Sequence, residues 1–250
     1  METKYKLTDD TILTTMEKKY KLTNETINVN GVALYRIEAL KDFSDVKKGD
    51  KGGFVQSENN LSHNGTCWVY NDAKVYGYAQ VYSNAKVYGS AVIHGFEKVY
   101  YYAKVYNHAE IFDNAKIYDY AKVYDHAEIY GYAEVFDYAQ VYGNAWVYGE
   151  AIIYHNSKVY GEAKVCGYAE VFNNAEVYDH AEIYQYAEVQ GNAKIYGNAI
   201  IYGNAQIYSN AEVYGDAKVY GKAQVYGYVR ISGNAKIFDR ANVYDKSIYI

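Results

Sequence analysis

The chain has 250 residues, 35 of them tyrosine, with no proline, two cysteines and a formal net charge of −5. So mild a charge argues against non-specific nucleic-acid binding through a basic surface. Cys67 and Cys166 lie far apart with no metal-ligand spacing around either, which argues against a disulfide-stapled secreted fold and for a reducing cytoplasm.

Residues 1–20 lack the apolar core of a signal peptide, and no stretch approaches the ~18 apolar residues of a membrane-spanning helix. Residues 4–12 (KYKLTDDTI) are echoed at 19–27 (KYKLTNETI). That points to a local duplication and makes residues 1–15 a flexible, dispensable extension. Residues 27–35 read as a hairpin with Asn30-Gly31 at the turn. Residues 47–55 read as a turn-rich passage into the repeat region. Since the end of a β-stack exposes unpaired backbone and core, residues 1–64 are expected to form an N-terminal cap.

From Gly65 to Ile250 the chain reads in six-residue units, turn-turn-Ala-x-Val-Tyr. Successive strand side chains point to opposite faces, so Ala and Val share the inner face and the x residue and Tyr share the outer one. The x residue is mostly Lys, Glu or Gln, which suits a wet exterior. The first turn residue is commonly Gly, Asp or Asn, types that tolerate the positive φ of a corner. A flat meander would leave Val exposed, whereas rolling the chain into a coil buries every Ala and Val. Asp125-His126-Ala127-Glu128-Ile129-Tyr130 recurs unchanged at 179–184, and the apolar x residues Val92, Trp146 and Ile200 keep the same spacing. That shift, 54, is three turns of 18 but no multiple of 12, so three units per coil are predicted. The fold class is therefore all-β, a parallel β-helix (β-solenoid) with 18-residue triangular coils and three external tyrosine ladders. Ser247-Ile248-Tyr249-Ile250 departs from the unit, putting Ile at the polar position, and is expected to cap the last coil or to pair with a second chain.

The pairing of an aliphatic residue with a small one four positions later (Val75 and Ala79, Val81 and Ala85, and onward) resembles the hexapeptide-repeat proteins, which form left-handed parallel β-helices. The resemblance covers about three quarters of the chain. It implies a left-handed coil. The departure is Tyr after the aliphatic residue, where that family often has Gly. The combination of the N-terminal segment (Leu34-Tyr35-Arg36-Ile37, Gly52-Gly53-Phe54-Val55, Asn60-Leu61-Ser62) with Asn-Ala-Lys-Val-Tyr-Gly units resembles uncharacterised bacteriophage and prophage proteins. That implies a viral setting inside a host cell, with no established activity to carry over.

Chemistry is sparse. The hexapeptide resemblance raises acyl transfer, in which a His base works at a trimer groove beside a protruding loop. His108, His126 and His180 are the available candidates, all at one corner position, but the unit is unbroken and leaves no such loop. No catalytic set, metal-ligand set or cofactor is expected. Lys86, Lys104 and Lys122 beside Tyr88, Tyr106 and Tyr124 would interleave cations with rings, a pattern that holds single-stranded nucleic acid. Glu170, Glu176, Asp179, Glu182 and Glu188 form an acidic run without Lys or Arg, suited to a basic partner surface. Trp146, Ile152, Ile200 and Val92 put apolar groups where charge is the rule, and Trp is enriched at interface hot spots. The expected function is non-enzymatic binding of a protein partner, as an inhibitor of a host defence nuclease or as a structural part of a phage particle. Acyl transfer is the enzymatic alternative.

Overall fold

The computed structural model describes residues 17–249. The first copy of the duplicated segment, the expected extension 1–15 and Ile250 lie outside them. Two strands open the described chain, β1 (Tyr20–Val29) and β2 (Val32–Ala39), paired antiparallel with Val29 opposite Val32. Asn30 (φ 51°) and Gly31 (φ 85°) make the turn. Two consecutive positive φ values give the turn whose twist matches that of its strands, as Asn-Gly predicts. β3 (Lys51–Val55) pairs antiparallel with β2 and, on its other edge, parallel with the strand at Lys74–Gly77. The hairpin thus extends one of the solenoid's own sheets.

Beyond β3 the chain is a parallel β-solenoid of about eleven coils. Its three sheets have 13, 11 and 10 strands and are called here the Trp146, Lys86 and Ile152 sheets. Each coil advances the register by 18: Lys104 pairs with Lys122, Trp146 with Lys164 and Ile152 with Glu170. At ~4.8 Å per coil the rod is about 50 Å long.

The ladder closes the same way in each unit. The N–H of the x residue donates to the Ala carbonyl of the next coil (Lys86 to Ala103, 3.0 Å), and the Tyr N–H to the Val carbonyl (Tyr88 to Val105, 2.9 Å). The N–H of the second corner residue donates to the first corner carbonyl (Ser90 to Asn107, 2.7 Å). The first corner residue has positive φ, whether it is Gly131 (72°), Asp125 (60°) or Gln185 (60°). Its own N–H is often taken by a side chain one coil back, as Asp179 accepts from Gly197 and Gln185 from Gly203. That is why Asp, Asn and Gln share this corner with Gly.

The interior is the Ala/Val face, with Ala145, Val147, Ala151 and Ile153 all fully buried. Under the cap, Trp68 packs edge-on against Phe43 (5.3 Å between ring centroids) and Tyr20 (6.0 Å). Gly53 is required there, because a Cβ on it would meet the Ala73 carbonyl at 2.4 Å.

Two register details depart from the sequence reading. The first coil is longer than the rest, Phe54 pairing with Lys74 where the regular step would reach Asp72, so the parallel ladder begins before the expected boundary at residue 65. A short 3-10 turn at Glu58–Asn60 lies in the longer stretch. At the far end Ile231 pairs with Ile248 where the regular step would reach Tyr249. The unit therefore loses one residue in its last coil, and Ile248 packs against the core rather than standing at a polar position.

Glu97 occupies an Ala position and is fully buried. Its Oε1 accepts from the Phe96 N–H at 3.0 Å, while its Oε2 has no partner. Burial pushes its pKa up to about 8. Ser157, also at an Ala position, is satisfied because its one hydroxyl proton is shared between the Tyr154 (2.8 Å) and Val171 (3.0 Å) carbonyls.

Candidate interaction surface around Trp146

The outer faces carry the candidate functional residues, and their rings are already stacked. In the Lys86 sheet one ring column runs from Tyr70 to Tyr214. Its neighbours Tyr106 and Tyr124 lie 4.7 Å apart and nearly parallel, and Tyr142 and Tyr160 lie 4.8 Å apart. The coil spacing sets this distance, so offset stacking follows from the register. Burial raises the hydroxyl pKa of Tyr100, Tyr124 and Tyr154 in these columns to about 12.

Lys86, Lys104 and Lys122 stand in register on adjacent coils, as predicted. Lys86 is held by Asp45 at 2.6 Å. Among Tyr88, Tyr106 and Tyr124 the rings meet one another, edge-on in the first pair and face-on in the second. Since a base stacks on a ring face and those faces are largely taken, the column presents mostly ring edges and hydroxyls.

The acidic run does not form one surface. Glu170 and Glu188 are neighbours on the Ile152 sheet. Glu176 lies on the Lys86 sheet, paired with Lys158 at 3.1 Å, and Glu182 on the Trp146 sheet, 3.4 Å from Lys164. Asp179 is a corner residue. An 18-residue coil distributes any short run over three faces, and register places lysines from the preceding coil beside two of these carboxylates.

Val92, Trp146 and Ile200 share one sheet but stand three coils apart, and Ile152 is on another sheet, between Glu134 and Glu170. Trp146 is the most exposed of the four, at 39%. It lies between Glu128 and Lys164, with the Lys164 ammonium 5.3 Å from its ring centroid. A cleft of about 410 Å³ opens beside it, lined by Asn144, Glu162, Lys164, His180 and Glu182. His180 Nδ1 is 3.1 Å from Glu162 Oε2. An exposed indole is thus ringed by groups of both charges, all on rigid two-residue strands and their corners. Lys164 and Glu162 were missed from sequence, although counting 18 onward from Trp146 and from its corner neighbour Asn144 points to them.

His108 and His126 stack on each other at 4.9 Å, and His180 lies farther along that corner ridge. Among the described residues no three His, Cys, Asp or Glu side chains converge as metal ligands, and no helix is long and apolar enough to cross a membrane.

A family model described as YdcK Beta solenoid repeat matches residues 79–95, 139–155 and 193–209. This is a β-solenoid repeat chain. Each matched segment spans about one coil, and the second contains Trp146. No curated protein matches the chain.

Proposed function

We propose that this protein is a non-enzymatic rod that binds a protein partner through the Trp146 face. The supporting observation is the exposed indole of Trp146 beside a mixed-charge cleft, in an outward column whose other rungs are mostly charged. Trp is among the residue types enriched at interface hot spots, and a scaffold that need not reorganise loses little conformational entropy on docking. The resemblance to phage and prophage proteins supports a host protein in the cytoplasm as the partner, with inhibition of a defence nuclease as the outcome.

The test is a tagged pull-down from host lysate, treated with nuclease, followed by titration of the purified partner. A stoichiometric complex that Trp146→Ala weakens by at least about thirtyfold, a loss of ~2 kcal/mol, with unchanged circular dichroism, is expected. Equal affinity for the two proteins would reject the Trp146 surface. Recovery of virion proteins in place of a host factor would replace inhibition with a structural role.

A further inference from the structure

One outer column of the Trp146 sheet runs Tyr76, His94, Phe112, Tyr130, Tyr148, Cys166, Tyr184, Tyr202, Tyr220, Phe238. Nine of its ten rungs are aromatic and one is a thiol. On either side of the interruption the rings keep the coil spacing, 4.9 Å between Tyr130 and Tyr148 and 5.1 Å between Tyr184 and Tyr202, with planes within 10° of parallel. Tyr148 and Tyr184 are two coils apart, so about 10 Å separates their rungs, twice the ladder step. A cleft of about 520 Å³ opens here. Tyr148 and Tyr184 are its jaws, Cys166 lies between them, and the stacked pair Tyr168 and Tyr186 (5.0 Å) forms one flank. Lys164 and Glu182 line the other side.

We infer that this gap is a binding site for a small phenol, whose ring completes the interrupted stack between Tyr148 and Tyr184. The ladder itself specifies the chemistry, because the group missing from this rung is a phenol ring and its neighbours are spaced to receive one on each side. Two offset stacks are made at once, on jaws that the backbone register already holds apart, so no induced movement is needed. The Cys166 thiol is short enough to leave the ring's place open. In the Ile152 sheet the corresponding interruption is Gln190, between Phe172 and Tyr208, and there a longer amide side chain occupies the rung. Burial pushes the Cys166 thiol pKa up. It therefore serves as an uncharged floor and takes no covalent part. This inference does not depend on Trp146 or on any protein partner.

The probe is p-cresol, titrated into the full chain and followed by ligand NMR, with 4-methylcyclohexanol as a non-aromatic control of similar size. Binding with a Kd on the order of 1 mM is expected for so small a ligand. Its ring protons should shift upfield from sandwiching, and the cyclohexanol should bind at least about tenfold more weakly. Cys166→Ala keeps the gap and retains binding. Cys166→Tyr fills it, abolishing binding and raising the melting temperature. If Cys166→Tyr does not fold, Tyr148→Ala and Tyr184→Ala each remove one jaw and should weaken binding about tenfold. Undiminished binding to Cys166→Tyr or to both jaw variants overturns the inference, as does no binding to the wild-type chain at ~10 mM p-cresol.

Discussion

Glu97 gives the sharpest prediction about stability. It is a carboxyl at a position that carries Ala one coil earlier (Ala79) and one coil later (Ala115), fully buried, with one oxygen unpartnered. Its pKa is about 8 in the fold against 4.5 for a free glutamate. Between these values the native state holds a proton that the unfolded chain releases, so stability falls as pH rises. The contribution is fully present below pH ~4.5 and is lost by the time pH passes ~8. At pH 7 the accumulated loss is about 3 kcal/mol at the usual ~1.4 kcal/mol per pH unit. Glu97→Gln keeps the volume and cannot ionise. It is expected to be more stable than the parent at pH 8 by roughly 3–5 kcal/mol, with the gap closing toward pH 4.5. Urea or guanidinium denaturation of both proteins at pH 5, 6, 7 and 8, read by circular dichroism, measures the difference. A parent-to-variant difference that stays constant across that range would refute the reasoning, because it would mean the carboxyl reaches solvent or another partner when charged.

Tyrosine ionisation sets an upper pH limit. The column hydroxyls are raised from 10 to about 12 at Tyr100, Tyr124 and Tyr154, chiefly by burial. Their contribution is intact below pH ~10 and lost as pH rises toward ~12. Absorbance at 295 nm should therefore show, beyond the phase contributed by the exposed tyrosines, a late phase that accompanies loss of the circular dichroism signal, and completion of the whole titration without unfolding would count against buried columns. Gly131 has φ 72°, and a Cβ there would meet the Gly149 N and O at 2.9 Å. Gly131→Ala should cost about 1–2 kcal/mol, whereas Gly131→Asn, a residue type found with positive φ at the equivalent first corner position on the other two ridges at Asn107 and Asn173, should cost less, as denaturant midpoints would show. Ile153→Ala in the filled core should cost about 2–5 kcal/mol. A smaller loss would mean that neighbouring coils collapse into the cavity.

The repeat made most of the fold legible. Alternation of Ala and Val against x and Tyr assigned inside and outside. The recurrence of 125–130 at 179–184 set the coil at three units, because duplication by whole coils keeps every rung on its own kind. The Asn30-Gly31 hairpin was legible for the same reason, being local backbone chemistry. The two register slips were not, since the extra residues before Lys74 and the missing one before Ile248 are absorbed at the ends, where a cap or a last coil need not obey the unit. Nor was Glu97 read as buried: its letter looks like any solvated glutamate, and only its place in the frame puts it inside. The acidic run was legible as composition and misleading as a surface, because proximity along the chain carries residues around the rod while proximity in space runs along it. Sequence determined the coil, its inner face and its columns. Tertiary stacking decided which charges became neighbours, that the tyrosine faces are taken by one another, and that a single thiol in a column of rings leaves an opening, since only the pairing of one coil with the next brings those groups together.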